Sequence, residues 1–296
     1  SSAFGAGARA ASYQSTALGA EAYAGGGGYG NSTAVGVGSY ASGSFSTALG
    51  AFSAASGYES IALGASSYAS GERSIVIGYK SAASGNQSTA LGYYNAASGN
   101  FSTAIGAGAQ ATANETTALG ADSSASYTGS TAVGSDAAAS GGGASAFGQG
   151  SNASAYGSTA IGVQAKALDN QATAVGGLAK AAAGGSAFGY EANANGPGSI
   201  AVGRGSGAIA TNSIAIGTDA STTGDYGVAL GYSAYASVKK AIAVGLHSLA
   251  SGAQAFALGS YANASGNNST ALGGAIDLDG NGSIGAGEYT AASGGL

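Results

Sequence analysis

Residues 60–78 read Ser-Ile-Ala-Leu-Gly-Ala-Ser-Ser-Tyr-Ala-Ser-Gly-Glu-Arg-Ser-Ile-Val-Ile-Gly, and the phrase that ends at Gly64 returns to end at Gly78. That return decides the fold. The phrase, Ser-Thr/Ile-Ala-(Leu/Ile/Val/Phe)-Gly in its commonest form, ends at Gly5, Gly19, Gly36, Gly50, Gly64 and onward to Gly273. The step from Gly50 to Gly64 is the rule along the chain, with two exceptions. It is 17 between Gly19 and Gly36, where Gly25–Gly28 add length, and 13 between Gly176 and Gly189. A fixed period of this kind marks a repeat architecture. Both exceptions read as turns that absorb a change of length.

Each column of the repeat has its own physics. The residue before the glycine is large and apolar, as at Leu18, Leu49, Ile77, Phe147 and Val202. Two positions earlier stands Thr or Ile/Val, as at Thr16, Thr47, Ile61 and Ile75, and the residue between is Ala, with Val76 the exception. Side chains alternate along a strand, so the first two columns share a face and the Ala column takes the other. Five residues after the glycine comes a second Ala column (Ala55, Ala69, Ala83), broken by Thr222, and three after it a small residue. The glycine itself and pairs such as Ser56-Gly57 and Ser70-Gly71 supply tight turns.

The expectation is an all-β chain: a β-solenoid of about twenty 14-residue coils, two short strands to a coil, stacked about 4.8 Å apart into a rod roughly 95 Å long. The large apolar column is expected to form an internal spine and the Ala column to face outward. An outward strand column is normally Thr, Lys, Glu or Gln. An outward Ala ridge therefore predicts self-association along it, closing into a ring such as a trimer. A two-heptad coiled coil is disfavoured by a glycine in every period and by the missing flanking charges. A silk-like sheet needs no large apolar residue in strict register.

Composition supports a folded, non-catalytic chain. Of 296 residues 57 are Gly, 7% are charged and 45% are hydrophobic, with a mean hydropathy of +0.16. A disordered chain combines low hydrophobicity with high charge, and this one does neither. The net charge is −5, which argues against a phosphate-binding surface and a nucleic-acid partner. No apolar run is long enough for a membrane-spanning helix, so no membrane insertion by this segment is expected. With no Cys and one His, thiolate and His-based metal sites are ruled out and nucleophilic triads have little material; no enzyme is expected. Ser1–Gly5 already reads as the end of a repeat, which suggests a mature or excised fragment.

Ser-Ile-Ala-Leu-Gly at 60–64, Ser-Ile-Ala-Val-Gly at 199–203 and Ser-Ile-Ala-Ile-Gly at 213–217 resemble the repeat of YadA-like heads of trimeric autotransporter adhesins. The resemblance covers residues 1–273. It implies a left-handed parallel β-roll and a homotrimer with three chains side by side. It also implies display at the bacterial outer membrane, outside the cell, and attachment to extracellular matrix, host cells, other cells or surfaces. No neck, heptad stalk or anchor barrel follows the repeats in this sequence. The alternative is a structural subunit of an extracellular filament or fibre, including a phage tail fibre, assembled end to end.

Residues 274–296 break the period and are expected to form a C-terminal cap. Within them Asp277, Asp279, Asn281, Ser283, Gly285 and Glu288 match the 12-residue calcium loop. That loop has oxygen ligands at positions 1, 3 and 5, glycine at 6, a backbone carbonyl at 7, a water-mediated contact at 9 and a bidentate Glu at 12. The expected cofactor is Ca2+, although neither flank reads as the usual helix. The Gly25–Gly30 stretch lacks the Lys of a phosphate loop and reads as a turn insertion. Lys239-Lys240 is placed on a solvated loop. The 17 Tyr, several near turns, suit either contact surfaces or packing between coils. Ice binding by Thr89, Thr103, Thr117 and Thr131 is weighed and set aside, because Ile elsewhere in that column suggests an inward position.

Overall fold

The computed structural model describes residues 1–25 and 30–273. Among them the chain has 39 short strands and no helix. It divides into two compact units, Ser1–Ser151 and Asn152–Leu296, and the described residues of each form a parallel β-solenoid. A coil contributes one strand to a front sheet, three residues long in all but two cases, such as Ile61–Leu63, and one two-residue strand to a back sheet, such as Tyr68–Ala69. All pairing is parallel and joins equivalent residues of successive coils. In the first unit Ile61 pairs with Ile75 and Leu63 with Ile77, while Tyr68 pairs with Ala82. In the second unit Ile200 pairs with Ile214 and Val202 with Ile216.

The turns extend the ladder. Phe52 and Glu59 take positive φ, 56° and 54°, and their amides donate to the preceding coil, to Val37 O at 2.8 Å and Ser44 O at 2.9 Å. Gly50 has φ 136°, and a Cβ there would lie 2.6 Å from the carbonyl of Gly64. Both the backbone angle and the close stacking of coils therefore demand glycine at this position.

Both departures from the period fall at the same corner, between a back strand and the front strand that follows. The longer step is already present where Tyr23 pairs with Tyr40, and the regular one has returned where Thr33 pairs with Thr47. The shorter step holds at Ala181 and Ala194, and the regular one has returned where Ser186 pairs with Ile200. The turns absorb the length, as expected, and the sheets keep register.

The interior corrects the expected packing. The small residues are inside. In one coil Ser53, Ala55, Ser60 and Ala62 are all fully buried, and the same columns are buried in the coils after the first, including Val76 and Thr222. The large aliphatic column faces out: Leu63 and Ile77 are 36% and 41% exposed. The two columns share a face as the alternation requires, but that face is the exterior, and the Ala ridge is core. So short a coil encloses room for methyl and hydroxymethyl groups and not for an isobutyl group. Most buried hydroxyls turn back to the carbonyl three residues earlier, as Ser53 Oγ does to Gly50 O at 2.8 Å and Ser74 Oγ to Gly71 O at 2.7 Å. Ser60, Ser102 and Ser199 hydroxyls have no partner.

Candidate interaction surface

Three kinds of surface are built on this frame. The first is the outer face of the front sheet. On most coils it presents one Thr, Ile or Val and one Leu, Ile, Val or Phe, separated by a buried Ala, as in strand Thr117–Leu119 of the first unit and Thr159–Ile161 of the second; Ser2, Ser145, Ser186 and Phe256 take the first position elsewhere. Leu119 and Ile161 are 42% and 41% exposed. Isolated exposed apolar residues are normal; a contiguous column in strict register marks a contact face. Self-association along an outward Ala ridge does not survive, because that ridge is interior. The Thr column, Thr89 to Thr131, also lies on this outer face and not inward.

The second surface is the back sheet, whose outward column varies. It carries Arg9, Tyr23, Tyr40 and Tyr68 near the start of the first unit and Lys166 and Lys180 in the second. Tyr23 and Tyr40 stack at 4.8 Å between ring centroids with planes 16° apart, and the Arg9 guanidinium lies 5.8 Å from the Tyr23 ring, within cation–π range.

The third surface is the corners, where charge and aromatic rings collect. Arg73 Nε donates to Glu59 Oε2 at 2.9 Å across one coil step. That bond holds the Glu59 carboxyl below the usual carboxylate range and raises Arg73. Next to it, Tyr79, Lys80, Tyr93 and Tyr94 form a cluster. Lys80 Nζ donates to Tyr94 Oη at 2.9 Å and sits 5.3 and 5.2 Å from the Tyr79 and Tyr94 rings. The bond raises Lys80 and holds the Tyr94 phenol below its ordinary value, while desolvation among its neighbours pushes Tyr93 up.

Asn95 supports this cluster from beneath. It occupies the core position three residues after Gly92, where the other coils have Ser or Ala. Its Nδ2 donates to Leu91 O at 2.6 Å and Gly106 O at 2.9 Å. Its Oδ1 accepts from Ala109 N at 2.8 Å. The usual turn is thereby opened, and strands Thr89–Tyr93 and Thr103–Ala107 run two residues longer than their neighbours. The column reads in sequence only as small residues, which does not convey the amide's reach; the signal for it is a single Asn where the column is otherwise Ser and Ala.

Lys239 and Lys240 are exposed in a turn, as expected. His247 lies in a turn between Tyr232 and Tyr261, at 5.3 and 5.0 Å between ring centroids. Among the described residues no group of three His, Asp or Glu is assembled for a metal. Asp277, Asp279, Asn281, Ser283, Gly285 and Glu288 lie outside the described residues, as does the rest of the expected cap beyond Gly273.

Comparison with known families gives a match to the YadA head domain repeat (2 copies) at residues 1–22, 30–53, 55–81, 69–95, 83–109, 97–123, 111–137, 125–151, 139–162, 153–179, 181–206, 208–234, 223–248 and 250–275. Among solved structures, a crystal structure of the collagen-binding domain of the Yersinia adhesin YadA is similar at 19% identity. The match covers 81% of this chain and 71% of that one, with a TM-score of 0.18, too loose for any geometric argument. No curated protein sequence matches the chain.

Proposed function

Because this chain belongs to the YadA head-repeat family, we propose that it is an adhesin head, non-catalytic, acting outside the bacterial cell by multivalent attachment. The observation that carries the reading is the outward aliphatic column of the front sheet, repeated coil after coil in each unit. In this proposal three copies pack front face to front face, which removes that column from water. The varied back sheet and the corners are left facing out. Weak contacts repeated along such surfaces add avidity without any single deep site.

The ligand class proposed is extracellular matrix protein, and fibrillar collagen is the first probe. The test is sedimentation of the purified chain followed by its binding to immobilised collagen and to a panel of other matrix proteins. A trimer that binds a matrix protein avidly is the expected result. A stable folded monomer, or no matrix binding by the trimer, defeats the corresponding half of the proposal. Long unbranched fibres in electron micrographs would move the reading to a filament subunit.

We also propose that the 277–288 loop takes one Ca2+ per chain. The support is its donor spacing, with Asp277, Asp279, Asn281, the Ser283 carbonyl and Glu288 supplying oxygens and Gly285 holding one through water. Titration calorimetry is expected to show a single uptake step that Glu288→Gln weakens strongly; no uptake by the unmodified chain removes the site.

A further inference from the structure

The 296 residues contain no Cys, no Met and no Trp, against 17 Tyr. The side chains that most readily take up oxidising equivalents elsewhere are missing, so one-electron oxidation of this chain falls on phenols. The repeat then fixes which phenols meet. Tyr79 and Tyr93 occupy the same position on successive coils, and their rings are stacked at 5.6 Å with planes 16° apart. Tyr94 closes the group, 4.4 Å from Tyr93, and the Asn95 amide network holds the backbone beneath. Tyr23 and Tyr40, in register on the back sheet, repeat the arrangement at 4.8 Å and 16°. All of these lie in the first unit.

We propose that the stacked pairs Tyr79–Tyr93 and Tyr23–Tyr40 are oxidative coupling sites, at which a peroxide-driven peroxidase or comparable one-electron oxidant forms a dityrosine staple between coils. Each phenol gives up one electron and its O–H proton. The two phenoxyl radicals join through a carbon–carbon bond between positions ortho to the oxygens, and the two ortho hydrogens move to the oxygens and restore the phenols. The two protons and two electrons released convert one hydrogen peroxide into two waters. Register replaces diffusion: holding two reacting groups in contact turns a bimolecular step into a unimolecular one. Exposure alone predicts a different outcome, since Tyr13, Tyr127 and Tyr156 are 75%, 62% and 67% exposed, against 43% and 54% for Tyr79 and Tyr93.

The test is treatment of the dilute full chain with a haem peroxidase and limiting hydrogen peroxide, isolation of species with single-chain mass under denaturing conditions, and peptide mapping. Cleavage after Lys and Arg separates Tyr79, in residues 74–80, from Tyr93, in 81–166. The expected result is these two peptides held together with the loss of two hydrogens, and a second loss of two hydrogens within 10–73. Tyr93→Phe should abolish the first and Tyr40→Phe the second, with the melting curve unchanged. Unfolding in urea before treatment should lower the yield of both by roughly tenfold or more. Links at Tyr13, Tyr127 or Tyr156 in their place, survival of a link in its Phe variant, or equal yield from the unfolded chain would overturn the proposal. Recovery of one pair alone overturns it for the other.

Discussion

At the scale of single residues, Ala62 and Leu63 carry the main lesson. They are neighbours in one strand, the first fully buried and the second 36% exposed. Enlarging the inner residue should therefore do more harm than removing the outer one. Ala62→Leu forces an isobutyl group between two walls that normally meet through methyls and hydroxymethyls. Overpacking of a tight core costs about 1–3 kcal/mol or more, so a clear fall in melting temperature is expected, and an unchanged melt would contradict the packing. Strand alternation made it legible in the sequence that Ile61 and Leu63 share a face and that Ala62 takes the other. It was not legible which face is inside, because periodicity is blind to that choice. Reading the large residues as core applied the usual hydrophobic preference; the narrow space inside so short a coil decides otherwise.

At the scale of the coil, the turns and their glycines were plain in the sequence, and so was the corner that takes up length. The stretch around Asn95 was not, since its effect depends on an amide reaching three backbone groups on two coils. Asn95→Ala leaves the part-buried carbonyl of Gly106 and the buried amide of Ala109 without this partner. Each buried group left unsatisfied costs about 1–3 kcal/mol. The expected outcome is a lower melting temperature with faster hydrogen exchange at Ala109, read by exchange mass spectrometry. Exchange unchanged at that amide would mean that the ordinary turn had re-formed.

At the scale of the molecule, each unit hides its smallest side chains and displays its largest, which leaves its front face with a strong reason to find a partner. Lysine on that face should break the association without touching the fold. Leu63→Lys in the first unit or Ile161→Lys in the second removes the burial of one large side chain per chain, about 1.5–3 kcal/mol, and brings like charges together. Tenfold or weaker association is expected by sedimentation equilibrium, with circular dichroism unchanged. Equal association by the variants would place the contact elsewhere. Membership of the family and the β-solenoid could both be read from the repeat; the polarity of its packing needed coordinates.

The corner between back and front strands has a wider consequence. It has been lengthened once, between Tyr23 and Thr33, and shortened once, between Ala181 and Ser186, while the paired residues on either side kept their partners. Variation in loop length at this seam is thus uncoupled from the scaffold, so a foreign peptide grafted there would be presented to the surroundings at a chosen rung of the ladder.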